Sequence, residues 1–173
     1  MIEIVRATVF DAKEMTELIQ YVHSCMDNKE WYVIDDLDYY THYLKDGYGI
    51  TYKAIDIETN QMVGIFMAII PDTKEVNLGY DLGLDEKESK KVAVMETAAV
   101  LPEYRGNNLK YRLMQAAEAE LIELGYCYLT GTVHPENRFS LNVFLKQGYH
   151  IAVTKEKYQG LLRDVLMKEI KKE

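Results

Sequence analysis

The residues with the clearest chemical potential form one short segment, Arg105-Gly106-Asn107-Asn108, directly before a helical pattern. The first backbone N–H groups of a helix have no partners inside it, and the helix dipole adds positive potential there. Gly106 allows close backbone approach, and asparagines tolerate left-handed conformations that aim successive N–H groups into one concavity. With Arg105 and Lys110 as charged donors, the segment predicts a phosphate site, although such a turn is also ordinary loop structure.

A carboxylate stands just upstream, in the β-rich run that leads into this segment. Strand alternation places Glu96 on the same face as Ala98 and Val100. Glu96 is therefore the best candidate for a general base that takes a proton from an ammonium group, with a surface-facing strand carboxylate as the alternative. His134 is a weaker candidate base, because turn histidines usually face solvent.

Aromatic residues are concentrated between residues 32 and 48, next to Trp31. They would form a wall over a substrate or, as the alternative favoured by amphipathic helices, pack within the protein. The histidines are too scattered to indicate a metal, and Cys25 and Cys127 lack the spacing of a zinc site or a disulfide framework. We therefore expect no metal.

Regular elements must position these residues. Hydrophobic periodicity predicts helices from Asp11 to Val22, at 35–44, from beyond Pro102 to Gly125 and at 138–147. Strands are predicted at 2–6, 50–57, 62–70, 90–100, 126–133, 149–154 and 161–168, with a loop at 77–89.

The order of these elements predicts an α/β fold in one domain over residues 1–173. The long helix between strands 90–100 and 126–133 is a crossover, so those two strands should be parallel. Short turns make the other pairings antiparallel. We therefore expect a mixed, mostly antiparallel sheet with a parallel central pair, flanked by helices.

The overall charge of −8 argues against nucleic acid as a partner, because polyanions need basic surfaces. It modestly favours the approach of cationic substrates such as amines. The N-terminus lacks a leader pattern, and no apolar run is long enough to span a membrane. With unpaired cysteines, these features predict a soluble, cytoplasmic protein with no membrane partner.

Two signatures resemble those of the GNAT superfamily of N-acetyltransferases. Residues 100–110, VLPEYRGNNLK, are similar to the acyl-CoA loop V-x-P-x-x-R-G-x-G-[IL]-[GA]. The second, N-x-x-[AS]-x-x-x-Y-x-x-x-G-[FY], is similar to a run with Asn137, Ser140, Phe144, Gly148 and Tyr149 in register. The two signatures occur in the family's order and are separated by one helix and one strand. Together they are more specific than either signature alone. The element order extends the resemblance over the whole chain.

The resemblance implies direct transfer of an acetyl or other acyl group from acetyl-CoA to a primary amine of a small molecule or peptide. It implies that backbone groups of Ala98 and Val100 pair with the pantetheine arm, and that Asn137 bonds it. The helix with Ser140 and Phe144 would flank the acyl sulfur. The pyrophosphate would be wrapped by Arg105, Gly106, Asn107, Asn108, Leu109 and Lys110.

Three departures from the family pattern affect these expectations. Asn108 replaces a loop glycine, and Lys110 replaces a small residue, so the loop must accept two side chains. Phe144 stands where many members carry a tyrosine that protonates the leaving thiolate, and phenylalanine has no ionisable group. The alternative hypothesis is therefore a non-catalytic acyl-CoA-binding or sensing module. A homodimer is the commonest assembly for such domains.

Overall fold

A computed structural model describes residues 1–171 of the chain. Its helices are α1 (Ala12–Ser24), α2 (Leu37–Leu44), α3 (Glu86–Ser89), α4 (Leu109–Glu123) and α5 (Arg138–Lys146). Its strands are β1 (Ile2–Arg6), β2 (Gly49–Asp56), β3 (Gln61–Ile69), β4 (Val92–Val100), β5 (Tyr128–Val133), β6 (His150–Lys157) and β7 (Leu161–Glu169).

The strands form one seven-stranded sheet in the order β1-β2-β3-β4-β5-β7-β6. Every neighbouring pair is antiparallel except β4 and β5, which run parallel with Val92 opposite Tyr128 and Val94 opposite Thr130. Helix α4 is the crossover between these two strands. The predicted fold class, a mixed and mostly antiparallel sheet with a parallel central pair, is confirmed.

Helices cover the middle of the sheet. Strand β3 is buried along its length apart from Gln61, since α1 packs against β3 and β4 while α4 packs against β2, β3 and β4. The apolar residues that predicted helix α4, such as Leu113, Ala117 and Leu121, are fully buried. Within residues 1–171, no helix is long and apolar enough to cross a membrane.

The prediction of a loop throughout residues 77–89 is wrong at its end, where α3 forms one helical turn. Asp85 Oδ1 accepts a hydrogen bond of 2.7 Å from the Glu88 backbone N–H, and Glu88 Oε2 accepts one from the Asp85 N–H. This reciprocal capping box is readable as D-x-x-E in the sequence.

Candidate functional site

Strand β4 contains a bulge at Glu96. Thr97 lies opposite Met67, whereas Met95 lies opposite Ala68, so Glu96 is an extra residue on its strand. A bulge locally bends a strand and re-aims side chains. From the bulge onward, Glu96, Ala98 and Val100 are partly exposed and line one cavity, while Thr97 and Ala99 between them are buried.

The two parallel strands separate beyond the bulge. The β4–β5 pairing covers only Val92 to Val94, so on that side β4 has no strand neighbour around Ala98 and Val100 within the described part of the chain. A cavity of about 700 Å³, here called the large cavity, lies at this separation. It runs from Glu96 to the start of α4 and α5.

The segment before α4 has the backbone shape that a phosphate site needs. Gly106 (φ 87°) and Asn108 (φ 55°) both adopt left-handed conformations. In the described chain no side chain caps the α4 N-terminus, which leaves its first N–H groups available to an anion. The preceding turn is anchored by Tyr104, whose hydroxyl donates to Asp56 Oδ2 at 2.7 Å.

Lys110 points inward and connects the two helices at the cavity wall. Its Nζ donates a 2.7 Å hydrogen bond to Ser140 Oγ, and burial lowers the pKa of the ammonium to about 8. Asn137 caps α5 by accepting from the Ser140 N–H at 3.3 Å. A charged donor and the starts of two helices thus converge on one part of the cavity.

Phe144 is buried on the wall of the large cavity. Its ring meets Tyr149 edge-on, with centroids 5.1 Å apart. It also occupies the space beside Gly131 of β5, where an added Cβ would lie 2.6 Å from Phe144 Cζ. The glycine therefore makes room for the aromatic ring, and this position supplies shape but no proton.

The structure brings together nearly all of the predicted site residues. The large cavity is lined by Glu96, Ala98, Val100, Arg105, Gly106, Asn108, Leu109, Lys110, Asn137, Ser140 and Phe144. Asn107 is the exception, because it is exposed and its amide donates to the Tyr104 backbone oxygen at 3.1 Å. His134 does not line the cavity, and it stacks against Trp31 with its Nδ1 accepting from the Glu136 N–H.

Glu96 has the electrostatics of a base near neutral pH. Burial raises the pKa of this carboxyl to about 7, although a hydrogen bond from the Tyr39 hydroxyl, 2.9 Å from Oε1, acts in the opposite direction. The nearby Asp35 carboxylate raises the pKa further. Such a group can accept a proton from an ammonium ion and release it again at physiological pH.

A second cavity of about 290 Å³, here called the small cavity, begins at Glu96. Both cavities are lined by Trp31, Tyr32, Glu96 and Thr132. The small cavity adds Tyr39, Asp35 and Glu75 together with Lys157, Tyr158 and Arg163 of the β6–β7 hairpin. Of the predicted aromatic wall, Trp31, Tyr32 and Tyr39 line cavities, whereas Tyr40 and Tyr43 are core residues.

Sequence reasoning missed the residues that distinguish the small cavity. Asp35, Glu75, Tyr158 and Arg163 lie far apart in the chain and share no spacing. Only the cluster of tyrosines near Trp31 was a usable signal.

With this geometry in view, the sequence profile of the Acetyltransferase (GNAT) family matches residues 13–149. The chain belongs to the GNAT acetyltransferase family. The predicted resemblance and the prediction of an acetyl-CoA-dependent acyltransferase are thereby confirmed. No curated protein matches the chain significantly in sequence.

Solved GNAT structures share this fold at low sequence identity. A GNAT-family acetyltransferase from Streptococcus pneumoniae is 17% identical (TM-score 0.73), with 98% of this chain and 100% of that chain covered. NAA60 from Arabidopsis thaliana in complex with acetyl-CoA is 11% identical (TM-score 0.77), with 98% and 99% covered. The Escherichia coli ribosomal-protein-S18-alanine N-acetyltransferase is 14% identical (TM-score 0.69), with 96% and 92% covered.

The residues of the large cavity fit the acyl donor of a GNAT enzyme. An uncapped helix N-terminus behind left-handed Gly106 and Asn108 suits a pyrophosphate, and Lys110 adds a cation. The separated edge of β4 offers unpaired backbone groups to an extended chain with amide groups. The two departures in the loop are therefore compatible with donor binding.

Proposed function

We propose that this GNAT protein transfers an acetyl group from acetyl-CoA directly to a primary amine, with the donor in the large cavity and the acceptor in the small one. The observation that carries the proposal is the position of Glu96, which lines both cavities and whose carboxyl has a pKa of about 7. An amine that enters from the small cavity must lose its proton before it attacks the donor, and Glu96 at the junction of the cavities is placed to accept that proton.

Each residue then has a defined role. Glu96 accepts the ammonium proton, and Tyr39 fixes the carboxylate through its hydroxyl. Backbone groups of Ala98 and Val100, the loop at 105–110 and Asn137 hold the donor in alignment. Acetyl-CoA supplies a thioester: the neutral amine attacks its carbonyl carbon and forms the new C–N bond, and the C–S bond breaks with its electron pair leaving on sulfur. The second amine proton passes to water, from which the thiolate can be protonated.

Phe144 makes no hydrogen bond, so this chain lacks a general acid at that position. A thiol is acidic enough, with a reference pKa of about 8.5 for cysteine, to leave as the thiolate at neutral pH. The absence of a hydroxyl at Phe144 therefore slows the reaction without preventing it.

Thiol release and thermal stability together test the proposal. Acetyl-CoA should raise the melting temperature, and at least one amine from a mixed panel should accelerate CoA release from it. Stabilisation without release for any amine would favour the acyl-CoA-binding or sensing module, to which the hydroxyl-free Phe144 points. No stabilisation by either CoA or acetyl-CoA would contradict both functions.

A further inference from the structure

The small cavity contains carboxylates that lack cationic partners. Within residues 1–171, no lysine, arginine or histidine lies within 4.0 Å of Asp35, Glu75 or Glu96 in an ion pair. Asp35 is half-buried and Glu75 lies exposed at the rim. A partly buried carboxylate without a partner is stabilised by any cation that enters beside it.

A separate feature of the same cavity also points to a ligand. The Tyr32 hydroxyl is buried and makes no hydrogen bond of normal geometry in the described chain, although the Thr97 side chain lies close enough to lower its pKa. Tyr32 lines both cavities. Burial raises the pKa of its hydroxyl, and the Glu96 and Asp35 carboxylates lie near enough to raise it further. A buried oxygen without a donor costs free energy until a ligand N–H supplies one.

Two cations line the small cavity, and among the described ion pairs only Lys157 has a carboxylate partner. Lys157 Nζ donates to Asp81 Oδ2 at 2.7 Å. Arg163 is 2% exposed and donates to two backbone oxygens, those of Leu162 and Glu30. Its second bond ties the β6–β7 hairpin to the segment after α1, so Arg163 positions the hairpin.

The hairpin also limits the size of an occupant. Tyr158, which lines the cavity, shares a 2.9 Å hydrogen bond with Thr132 of β5. The volume of the cavity is about 290 Å³. This lies just below the range of about 300–1,000 Å³ that is typical of small-molecule sites. Its aromatic walls, Trp31, Tyr32, Tyr39 and Tyr158, favour a cation over an anion.

We infer that the acceptor is a small primary amine without a carboxylate, bound as its cation between Asp35 and Glu96 with an N–H donated to the Tyr32 hydroxyl. This inference rests on the proposed function. Asp35 is the specificity-determining residue: it attracts the ammonium, and Glu96 takes the proton. Amino acids and peptides would bring a carboxylate or further amides, for which the described residues of the cavity offer only the paired Lys157, the 2% exposed Arg163 and little space.

Matched acceptors test the chemical class. Ethylamine, butylamine and phenethylamine are compared with alanine, norvaline and phenylalanine, which differ from them by one carboxylate, and with a hexapeptide bearing a free N-terminus. We expect kcat/KM for the best amine to exceed that of its amino acid and of the peptide by at least about tenfold, or about 1.4 kcal/mol. Preference for an amino acid or the peptide would overturn the inference.

Asp35→Asn tests the residue. The change preserves side-chain shape, and the Asp35 backbone N–H keeps its 2.9 Å bond to the Tyr40 hydroxyl. We expect the KM of the amine to rise about tenfold with the KM of acetyl-CoA unchanged, and Asp35→Glu to recover part of the loss. Asp38→Asn, which removes an exposed carboxylate in α2, is the matched control.

Equal effects of Asp35→Asn and Asp38→Asn would overturn the inference. It is also overturned if acetyl-CoA raises the melting temperature but no small amine accelerates CoA release. If acetyl-CoA produces no shift, the proposed function itself fails, and this inference with it. Calorimetric titration of the amines into the protein with CoA present separates loss of binding from loss of turnover.

Discussion

The large and the small cavity meet at Glu96 but are built in different ways. Most of the large cavity comes from two stretches, 95–111 and 132–146, and it offers backbone groups, a helix N-terminus and the cations Arg105, Lys110 and Lys146. The small cavity takes its side chains from five distant regions, around residues 35, 76, 96, 132 and 160, and it offers carboxylates and aromatic rings.

This contrast indicates which of the two cavities can determine ligand specificity. Backbone groups bind the same phosphate and amide chemistry whatever side chains surround them, so a site made of them tolerates changes such as Asn108 and Lys110. A site made of side chains changes its ligand when one of them changes. A proposed donor site of this kind can therefore be shared across a family, while the proposed acceptor site can differ between its members.

The largest expected effect is at the junction of the two cavities. Glu96→Gln should lower kcat/KM by about 100-fold at pH 8, because the general base is lost. The wild-type rate should rise as pH increases through about 7, where Glu96 loses its proton, and this inflection should be absent from the variant. Steady-state thiol release between pH 5.5 and 9 measures both.

Glu103→Gln, at an exposed carboxylate beside the large cavity, is the control for Glu96→Gln. A Glu96 variant that retains the wild-type rate and pH profile would place the base elsewhere.

We expect a smaller effect from a change in the wall of the large cavity. Gly131→Ala places a Cβ 2.6 and 2.7 Å from Phe144 Cζ and Cε1, so the ring must move. We expect a loss of about 2 kcal/mol in the free energy of unfolding and weaker acetyl-CoA binding, with partial recovery when Phe144→Leu is added. Urea denaturation and thermal shift measure the two effects.

Gly64→Ala is the matched strand glycine for this comparison, since its Cβ would meet neighbours at 3.3 Å or more. It should cost less than Gly131→Ala. Equal stability of the two variants would show that the Phe144 ring is not constrained by β5.

Glu96 should also make stability depend on pH. Its folded pKa of about 7 lies above the ordinary 4.5, so between these values the folded state binds the proton that the unfolded state has lost. Stability therefore decreases as pH rises through this window. The stability of Glu96→Gln relative to wild type should increase by about 1–2 kcal/mol from pH 5 to pH 8, a value reduced for partial solvent exposure.

Urea denaturation at the two pH values checks this prediction, and Glu103→Gln should show no such difference. A constant difference between Glu96→Gln and wild type would mean that the carboxyl is not destabilised by its surroundings.

The smallest effect is expected where the large cavity tolerates a departure from the family pattern. Asn108→Ala should reduce stability by about 1 kcal/mol, because alanine is strained in the left-handed conformation (φ 55°). Asn108→Gly should preserve stability and acetyl-CoA binding. Asn107→Ala, at a neighbour outside the left-handed region, removes only an exposed hydrogen bond to the Tyr104 oxygen and should cost less. An equal or larger loss at Asn107 would contradict the argument from backbone conformation.

Local chemistry made much of the fold readable in advance. Alternating and helical periodicities located the strands and the long helices to within a few residues, since burial of one face imposes those periods. The D-x-x-E capping box of α3 is also a local signal, but it lies within a charged, turn-rich segment that favours a loop. Pairing followed from connection length, which made β4 and β5 parallel.

The site divides along the same line. Within residues 100–110, Gly106 and Asn108 are residue types that favour left-handed backbone conformations. The position of this segment at a helix N-terminus could therefore be predicted. The inward direction of Lys110 could not, because it depends on Ser140, thirty residues away on another helix. The bulge at Glu96 is visible only in the register between β3 and β4, and no residue in the sequence marks it.

By itself, the sequence determined the family, the order of the elements and the left-handed backbone geometry before α4, because these depend on neighbours in the chain. Tertiary structure alone decided that Glu96 is partly buried near Asp35 with its carboxyl bonded to Tyr39, and that the β6–β7 hairpin bounds the small cavity. Burial and charge proximity arise between distant segments, so the acceptor site exists only once the sheet and its helices have assembled.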